Sequence, residues 1–119
     1  MRSHAVLTLG SYDNKELIDT LYGIGLSPLV QDSTSNALNK LRHDRFSAII
    51  VDVKNAKDDV LELLCNIRDI NEEITVVVLG LKDHTVQEAL LTLKRVIIIE
   101  DTSNENELAG RLEKILINS

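Results

Sequence analysis

Ala48-Ile49-Ile50-Val51-Asp52-Val53-Lys54-Asn55-Ala56-Lys57-Asp58-Asp59-Val60-Leu61-Glu62-Leu63-Leu64 decides the architecture of this 119-residue chain. A continuous apolar run ends on a carboxylate, a polar loop follows, and helical spacing of Val60, Leu63, Leu64 and Ile67 begins directly after it. A run without polar alternation marks a strand buried on both faces, as in a parallel sheet covered by helices. An acid at the carboxyl end of such a strand stands where open α/β sheets place their chemistry. Asp52 is therefore the first candidate functional residue.

The same alternation extends in both directions. Ala5–Leu9, Ile74–Leu79 and Val96–Ile99 are further short apolar runs rich in Val, Ile or Leu. Leu29-Val30 is a weaker run after Pro28, the only proline, and reads as an edge strand, where a proline is tolerated at the start. Between the runs lie helical stripes: Leu17, Ile18, Leu21 and Ile24, ended by Gly25; Ala37, Leu38 and Leu41, after Ser33-Thr34-Ser35; Val86, Ala89, Leu90 and Leu93; and Leu108, Leu112, Ile115 and Leu116. The Ser33-Thr34-Ser35 stretch offers an N-cap. Asp58 and Asp59 suit the positive start of the third helix, and Thr102 with Glu105 is expected to form a capping box for the last. Five β/α units without repeat or linker predict one domain over residues 1–119. Its fold is α/β, a flavodoxin-like doubly wound five-stranded parallel sheet of order 2-1-3-4-5 with helices on both faces. In that order Asp52 lies at the topological switch point.

Composition narrows the function classes. Aromatics are 3% of the chain, so the core is aliphatic and little is available for stacking a flat ligand. A net charge of −6 argues against a nucleic-acid interface, which needs a basic face. No signal peptide and no apolar run long enough for a membrane span is evident, so a cytoplasmic location is expected. The single cysteine, Cys65, forms neither a disulfide nor a metal cluster by itself and is expected to be a small buried hydrophobe. His4, His43 and His84 lack metal-ligand spacing. Lys40, Arg42, His43 and Arg45 read as a solvated helix end. There is no glycine-rich phosphate loop after the first strand, no cobalamin-type histidine motif and no Gly-x-Ser-x-Gly elbow.

The order of elements, the strand-ending Asp52, and Asp58-Asp59-Val60-Leu61-Glu62-Leu63-Leu64 with Ile67-Arg68 resemble bacterial response-regulator receiver domains of the chemotaxis-regulator type. The family pattern places a Met-Pro pair soon after the aspartate, then Asp-Gly before a Leu-rich helix ending in Ile-Arg. Asn55-Ala56 and Asp59-Val60 stand at those places here. The resemblance implies that Asp52 is the phosphoryl acceptor. It also implies two acids ending the first strand to hold Mg²⁺, a Ser or Thr ending the fourth, and a Lys ending the fifth. Phosphoryl transfer depends on these because its catalysis is largely neutralisation of charge.

At each of those positions this sequence departs from the pattern. The acid pair falls on Leu9-Gly10 or Gly10-Ser11, neither of which supplies a carboxylate, and Asp13 comes too late and is expected to cap the first helix. Gly80 stands at the hydroxyl position, Asp101 at the lysine position and Ile98 near the aromatic switch position. Asp52 alone makes a weak Mg²⁺ site, and aspartate in place of lysine turns attraction for phosphate into repulsion. Asp101 and Asp52 are expected to crowd each other and raise one pKa.

The resemblance thus implies a degenerate pseudo-receiver in two-component phosphorelay signalling. It would be a non-enzymatic regulatory module with no cofactor and weak Mg²⁺ binding at most. Expected partners are a histidine kinase, an output domain or another regulator, with a homodimer face on helix 4, strand 5 and helix 5. Two alternatives stand beside it. One is a working phosphoacceptor, phosphorylated on Asp52 by a histidine kinase and borrowing metal ligands from Asp13 or Asp101. The other is a small flavodoxin-like binder of a nucleotide or flavin at the switch point.

Overall fold

The computed structural model describes residues 4–10, 15–53 and 59–117. The elements alternate: β1 (Ala5–Leu9), α1 (Lys15–Gly23), β2 (Ser27–Gln31), α2 (Thr34–His43), β3 (Ala48–Asp52), α3 (Val60–Ile70), β4 (Thr75–Leu79), α4 (His84–Leu90), β5 (Val96–Ile99) and α5 (Glu105–Leu116). All strands are parallel, in the order β2-β1-β3-β4-β5. This is the doubly wound sheet expected from the apolar runs, and β3, the central strand, is buried along its whole length.

Alternation along each strand sorts the core into two layers. Leu7, Leu9, Ile49, Val51, Val76 and Val78 face Ala37, Leu41, Leu63, Leu64, Ile67 and Leu90 of α2, α3 and α4. Val6, Ile50, Val77, Leu79 and Ile99 face Leu17, Leu21, Leu108 and Leu112 of α1 and α5. Two helices therefore cover one face and three the other. Pro28 lies within β2, at the edge of the sheet. The Ser27 N–H points inward to the His4 carbonyl at 2.9 Å, so by alternation the donorless Pro28 nitrogen faces away from β1 and no ladder bond is lost.

Local chemistry explains the helix ends. Gly25 has φ +93, and the Gly25 and Leu26 N–H groups donate back to the Tyr22 and Leu21 carbonyls, which closes α1 while burying Leu26. Ser33 caps α2 and Asp59 caps α3 through side-chain oxygens that accept from Asn36 and Glu62 N–H. Asp13 and Asp58 lie outside the described residues. The guanidinium of Arg68, at the end of α3, donates to the Lys94, Arg95 and Asn71 carbonyls and closes the turn between α4 and β5. Arg95 in that turn has φ 56, and partial burial together with the nearby Arg95 charge lowers the Arg68 pKa.

Three local expectations are corrected. The capping box Thr102/Glu105 does not form: α5 starts at Glu105, and Asn104 caps it by accepting from the Glu107 N–H at 3.0 Å. Thr102 lies too early in the chain to reach that turn. Cys65 is exposed rather than buried. At about 100° per residue it projects well away from the stripe of Val60, Leu63, Leu64 and Ile67, so its neighbours in sequence are not its neighbours in the core. Leu93 packs on the core from the turn after α4, which ends at Leu90.

The fully buried Thr8 hydroxyl, in the middle of β1, finds no hydrogen-bond partner among the described residues. An unpaired buried hydroxyl costs free energy that an isosteric methyl does not. Thr8→Val is therefore expected to stabilise the fold by about 1 kcal/mol, read as a higher urea midpoint at unchanged m.

Candidate functional site

The carboxyl ends of β3, β4 and β5 are level with one another. Asp52 pairs with Leu79 and Leu79 with Ile99. The ladder continues one step beyond the strands, through Val53 N–H to the Leu79 carbonyl at 3.0 Å and Gly80 N–H to the Ile99 carbonyl at 2.8 Å. This step brings Asp52, Gly80, Glu100 and Asp101 to one rim. Together with Glu16, Leu17 and Thr20 of α1, Lys82, Thr102, Ser103, and Glu105 and Leu108 of α5, they line a cleft of about 340 Å³. Asp52 is buried, with 6% of its surface exposed.

Gly10 packs directly against the backbone of Asp52. Its φ is +85, and a Cβ built on it would stand 2.3 Å from the Asp52 carbonyl oxygen. No side chain fits at position 10 without moving the backbone of β3. Gly80 also has a positive φ, +79, but its Cβ direction is open. Ser11 lies outside the described residues. At the rim Asp52 is thus the carboxylate that a metal ion would meet from β3, with none available from position 10. Among the described residues no group of three or more His, Cys, Asp or Glu side chains is arranged to hold a metal ion.

The remaining acids at the rim have individual partners. The Gln87 amide donates to the Leu81 carbonyl at 2.6 Å and to Glu100 Oε2 at 3.2 Å, and His84 Nε2 lies 3.7 Å from the same oxygen. Glu100 is thereby drawn toward α4. Asp101 Oδ1 accepts from the Ser103 N–H at 3.0 Å and the Ser103 hydroxyl at 2.7 Å. Those two bonds, helped by the positive charge of Lys82, hold the Asp101 carboxyl below its ordinary value. Asp101 is therefore not the acid that crowding at the rim raises, because hydrogen bonds to its charged form outweigh its desolvation. Glu105 moves the other way. A hydrogen bond to the Glu16 side chain, with the negative charges of Glu16 and Asp19, raises it above the ordinary glutamate value.

The two shifts act oppositely on stability. Asp101, depressed in the fold, favours folding above its unfolded pKa, and this is lost as pH falls through its lower folded value. Glu105, raised in the fold, favours folding below its unfolded pKa, and this is lost as pH climbs through its higher folded value. Carboxyl carbon titration by NMR is expected to give Asp101 a midpoint below, and Glu105 one above, the ordinary range. Ser103→Ala should return Asp101 only part-way, since the larger contribution comes from the backbone N–H.

Solved structures align with this arrangement along nearly its whole length. The chemotaxis protein CheY4 of Vibrio cholerae matches with a TM-score of 0.79 at 18% identity, covering 97% of this chain and 100% of that one. A CheY-like receiver domain from Methanospirillum hungatei matches at 0.73 and 15% identity, covering 98% and 96%. The chain has the receiver-domain fold. A third receiver domain of this fold, from a sensor histidine kinase of Pseudomonas aeruginosa with magnesium coordinated in its active-site cleft, matches at 0.77 and 15% identity, covering 99% and 100%. At these identities the likeness concerns the receiver fold itself. No protein-family model and no curated protein matches the sequence.

On the receiver fold, the structure brings Asp52, Gly80 and Asp101 to one cleft and packs Gly10 against the Asp52 carbonyl. Lys82, Gln87, and the contact between Glu16 and Glu105 were not evident from the sequence. The available signal for Lys82 was its place three residues past Leu79, the last residue of β4. For Gln87 it was the three-residue spacing from His84 on one face of α4. The meeting of α1 and α5 at Glu16 and Glu105 is a long-range contact that no local pattern marks. No helix among the described residues is long and apolar enough to cross a membrane.

Proposed function

We propose that this chain is an atypical receiver module of two-component signalling that regulates by binding a partner protein and does not carry out ordinary Mg²⁺-dependent phosphotransfer. The observation that carries the reading is the packing of Gly10 against the Asp52 carbonyl, together with Asp101 at the lysine position. The first leaves no room for a side chain at position 10 in this backbone conformation, and the second adds negative charge where an incoming phosphoryl group needs a cation. Asp52 is then a buried acid at the switch point, and Gly10, Ser11, Gly80 and Asp101 are positions from which the transfer machinery has been lost. Mg²⁺ binding is weak and no cofactor is needed.

The partner is a histidine kinase, an output domain or another regulator. The face formed by α4, β5 and α5 is the proposed contact surface, for a partner or a second copy. It carries exposed Leu91 and half-buried Ile97 and Ile98. The cleft is large enough for a small molecule, but its carboxylate lining opposes the phosphates of a nucleotide or flavin.

Titration with Mg²⁺ and beryllofluoride, followed by amide NMR, tests the proposal. The expected result is no shift at Asp52 or Gly80, with no phosphorylated species in the intact mass after acetyl phosphate. Saturable shifts there, with rapid labelling of Asp52, would establish the working phosphoacceptor instead.

A further inference from the structure

The sheet has two edge strands, β2 and β5, and their outward main-chain groups differ. The β2 edge is closed. Just before it the Leu26 N–H donates to the Leu21 carbonyl at 3.0 Å, Pro28 has no N–H to offer, and the Val30 carbonyl accepts from the Gln31 side-chain amide at 3.0 Å. Proline and local cover of this kind keep an edge from pairing with another chain.

The β5 edge carries no such guard. The Arg95 and Ile99 carbonyls accept from the Val76 and Gly80 N–H groups, so by alternation the N–H and carbonyl groups of Val96 and Ile98 point away from β4. Among the described residues no hydrogen bond reaches them on that side. The strand is Val96-Ile97-Ile98-Ile99, β-branched throughout, with no proline and no charge. Lys94 and Arg95 precede it and Glu100 and Asp101 follow it, all exposed.

We propose that the β5 edge is where a second copy of this chain adds its own β5, antiparallel, joining two five-stranded sheets into one continuous sheet. The proposal deepens the assignment of the α4, β5 and α5 face as the contact surface and rests on it. A twofold axis through Ile97 satisfies the geometry. Val96 then faces Ile98 of the second copy, the two residues exchange their N–H and carbonyl groups, and the axis repeats the exchange. The Ile97 side chains meet at the axis, where opposed side chains approach closely. The same register sets Lys94 against Glu100 of the second copy. A parallel partner in register would instead set Lys94 and Arg95 beside their own counterparts, and like charges side by side oppose pairing. Within one copy Lys94 and Glu100 stand at opposite ends of the strand, roughly 15–20 Å apart, beyond the reach of a screened surface charge.

The test is sedimentation equilibrium of the full chain from micromolar to millimolar concentration, with amide hydrogen exchange at both ends of that range. The expected result is a monomer–dimer equilibrium in which protection of the Val96 and Ile98 amides rises with concentration, while the Ile97 and Ile99 amides, which face β4, stay unchanged. Lys94→Glu and Glu100→Lys are each expected to weaken association about tenfold at low salt, and the double reversal to return it to within about threefold of the wild type. Both residues are exposed and neither caps a helix, so the variants are expected to fold. A chain that stays monomeric at millimolar concentration overturns the proposal. So does a dimer whose Val96 and Ile98 amides gain no protection, because helix side chains would then hold it; the contact surface would stand and strand addition would fall. A double reversal that associates no better than the single variants overturns the antiparallel register, and the proposal with it. The Mg²⁺ and beryllofluoride titration decides the reading of the site as inactive in phosphotransfer independently of each of these results.

Discussion

Gly10→Ala is expected to lower stability by about 2–5 kcal/mol, whereas Gly80→Ala, at nearly the same φ, costs about 1–2 kcal/mol. Both substitutions put an L side chain into the left-handed region, so both carry the backbone penalty. Only Gly10 adds a steric one. Its Cβ would meet the Asp52 carbonyl oxygen at 2.3 Å, whereas nothing lies within 4 Å of a Cβ at Gly80. The obstacle is backbone of the central buried strand, which cannot swing aside as an exposed side chain would. Urea unfolding of the two variants beside the wild type gives the comparison directly, as a shift of midpoint at constant m. Gly10→Asp, which puts an acid at a position that the proposed function reads as having lost one, should be at least as destabilising as Gly10→Ala and should gain no Mg²⁺ affinity. If Gly10→Ala costs no more than Gly80→Ala, the close approach of Gly10 to β3 is wrong, and with it the strongest argument against a metal site.

This contrast also separates what could be read from the sequence from what could not. The apolar runs were legible because a strand buried on both faces leaves no polar alternation, and β1 and β5 begin and end at the residues where their runs do. Asp52 was legible because β3 ends on it. That Gly10, Gly80 and Asp101 stand just past strand ends needed only the register of each strand. What those positions do physically was not legible. Gly10 reads as a missing carboxylate in the sequence and is a packing necessity in the fold. Asp101 reads as a charge crowding Asp52 and instead turns its carboxylate to Ser103. Cys65 reads as buried when only its neighbours along the chain are considered, and the angle around the helix places it outside. In each case the missing information is three-dimensional adjacency, which composition and period do not contain.

Asp101→Lys is expected to raise the affinity of the cleft for beryllofluoride by on the order of a hundredfold at low ionic strength, with the gain shrinking as salt is added. Asp101→Asn, which removes a negative charge without adding a positive one, should yield about a tenth of that gain. The argument is one of position. Asp101 lines the same cleft as Asp52 and lies just past the end of β5, whose last residue is level with Leu79, itself the partner of Asp52. An anion approaching Asp52 therefore passes a carboxylate where a lysine would attract it, and Lys82 is the one cation among the described lining residues that offsets it. The substitution also breaks the Asp101–Ser103 turn, but α5 does not depend on that turn, because Asn104 caps the helix separately. Fluorine NMR of beryllofluoride, with each variant at two salt concentrations, measures the effect. A gain of the expected size that vanishes at high salt identifies charge at position 101 as what keeps phosphate-like anions out. An unchanged affinity in Asp101→Lys means that the shape of the cleft around Gly10 and Asp52, and not its charge, refuses them.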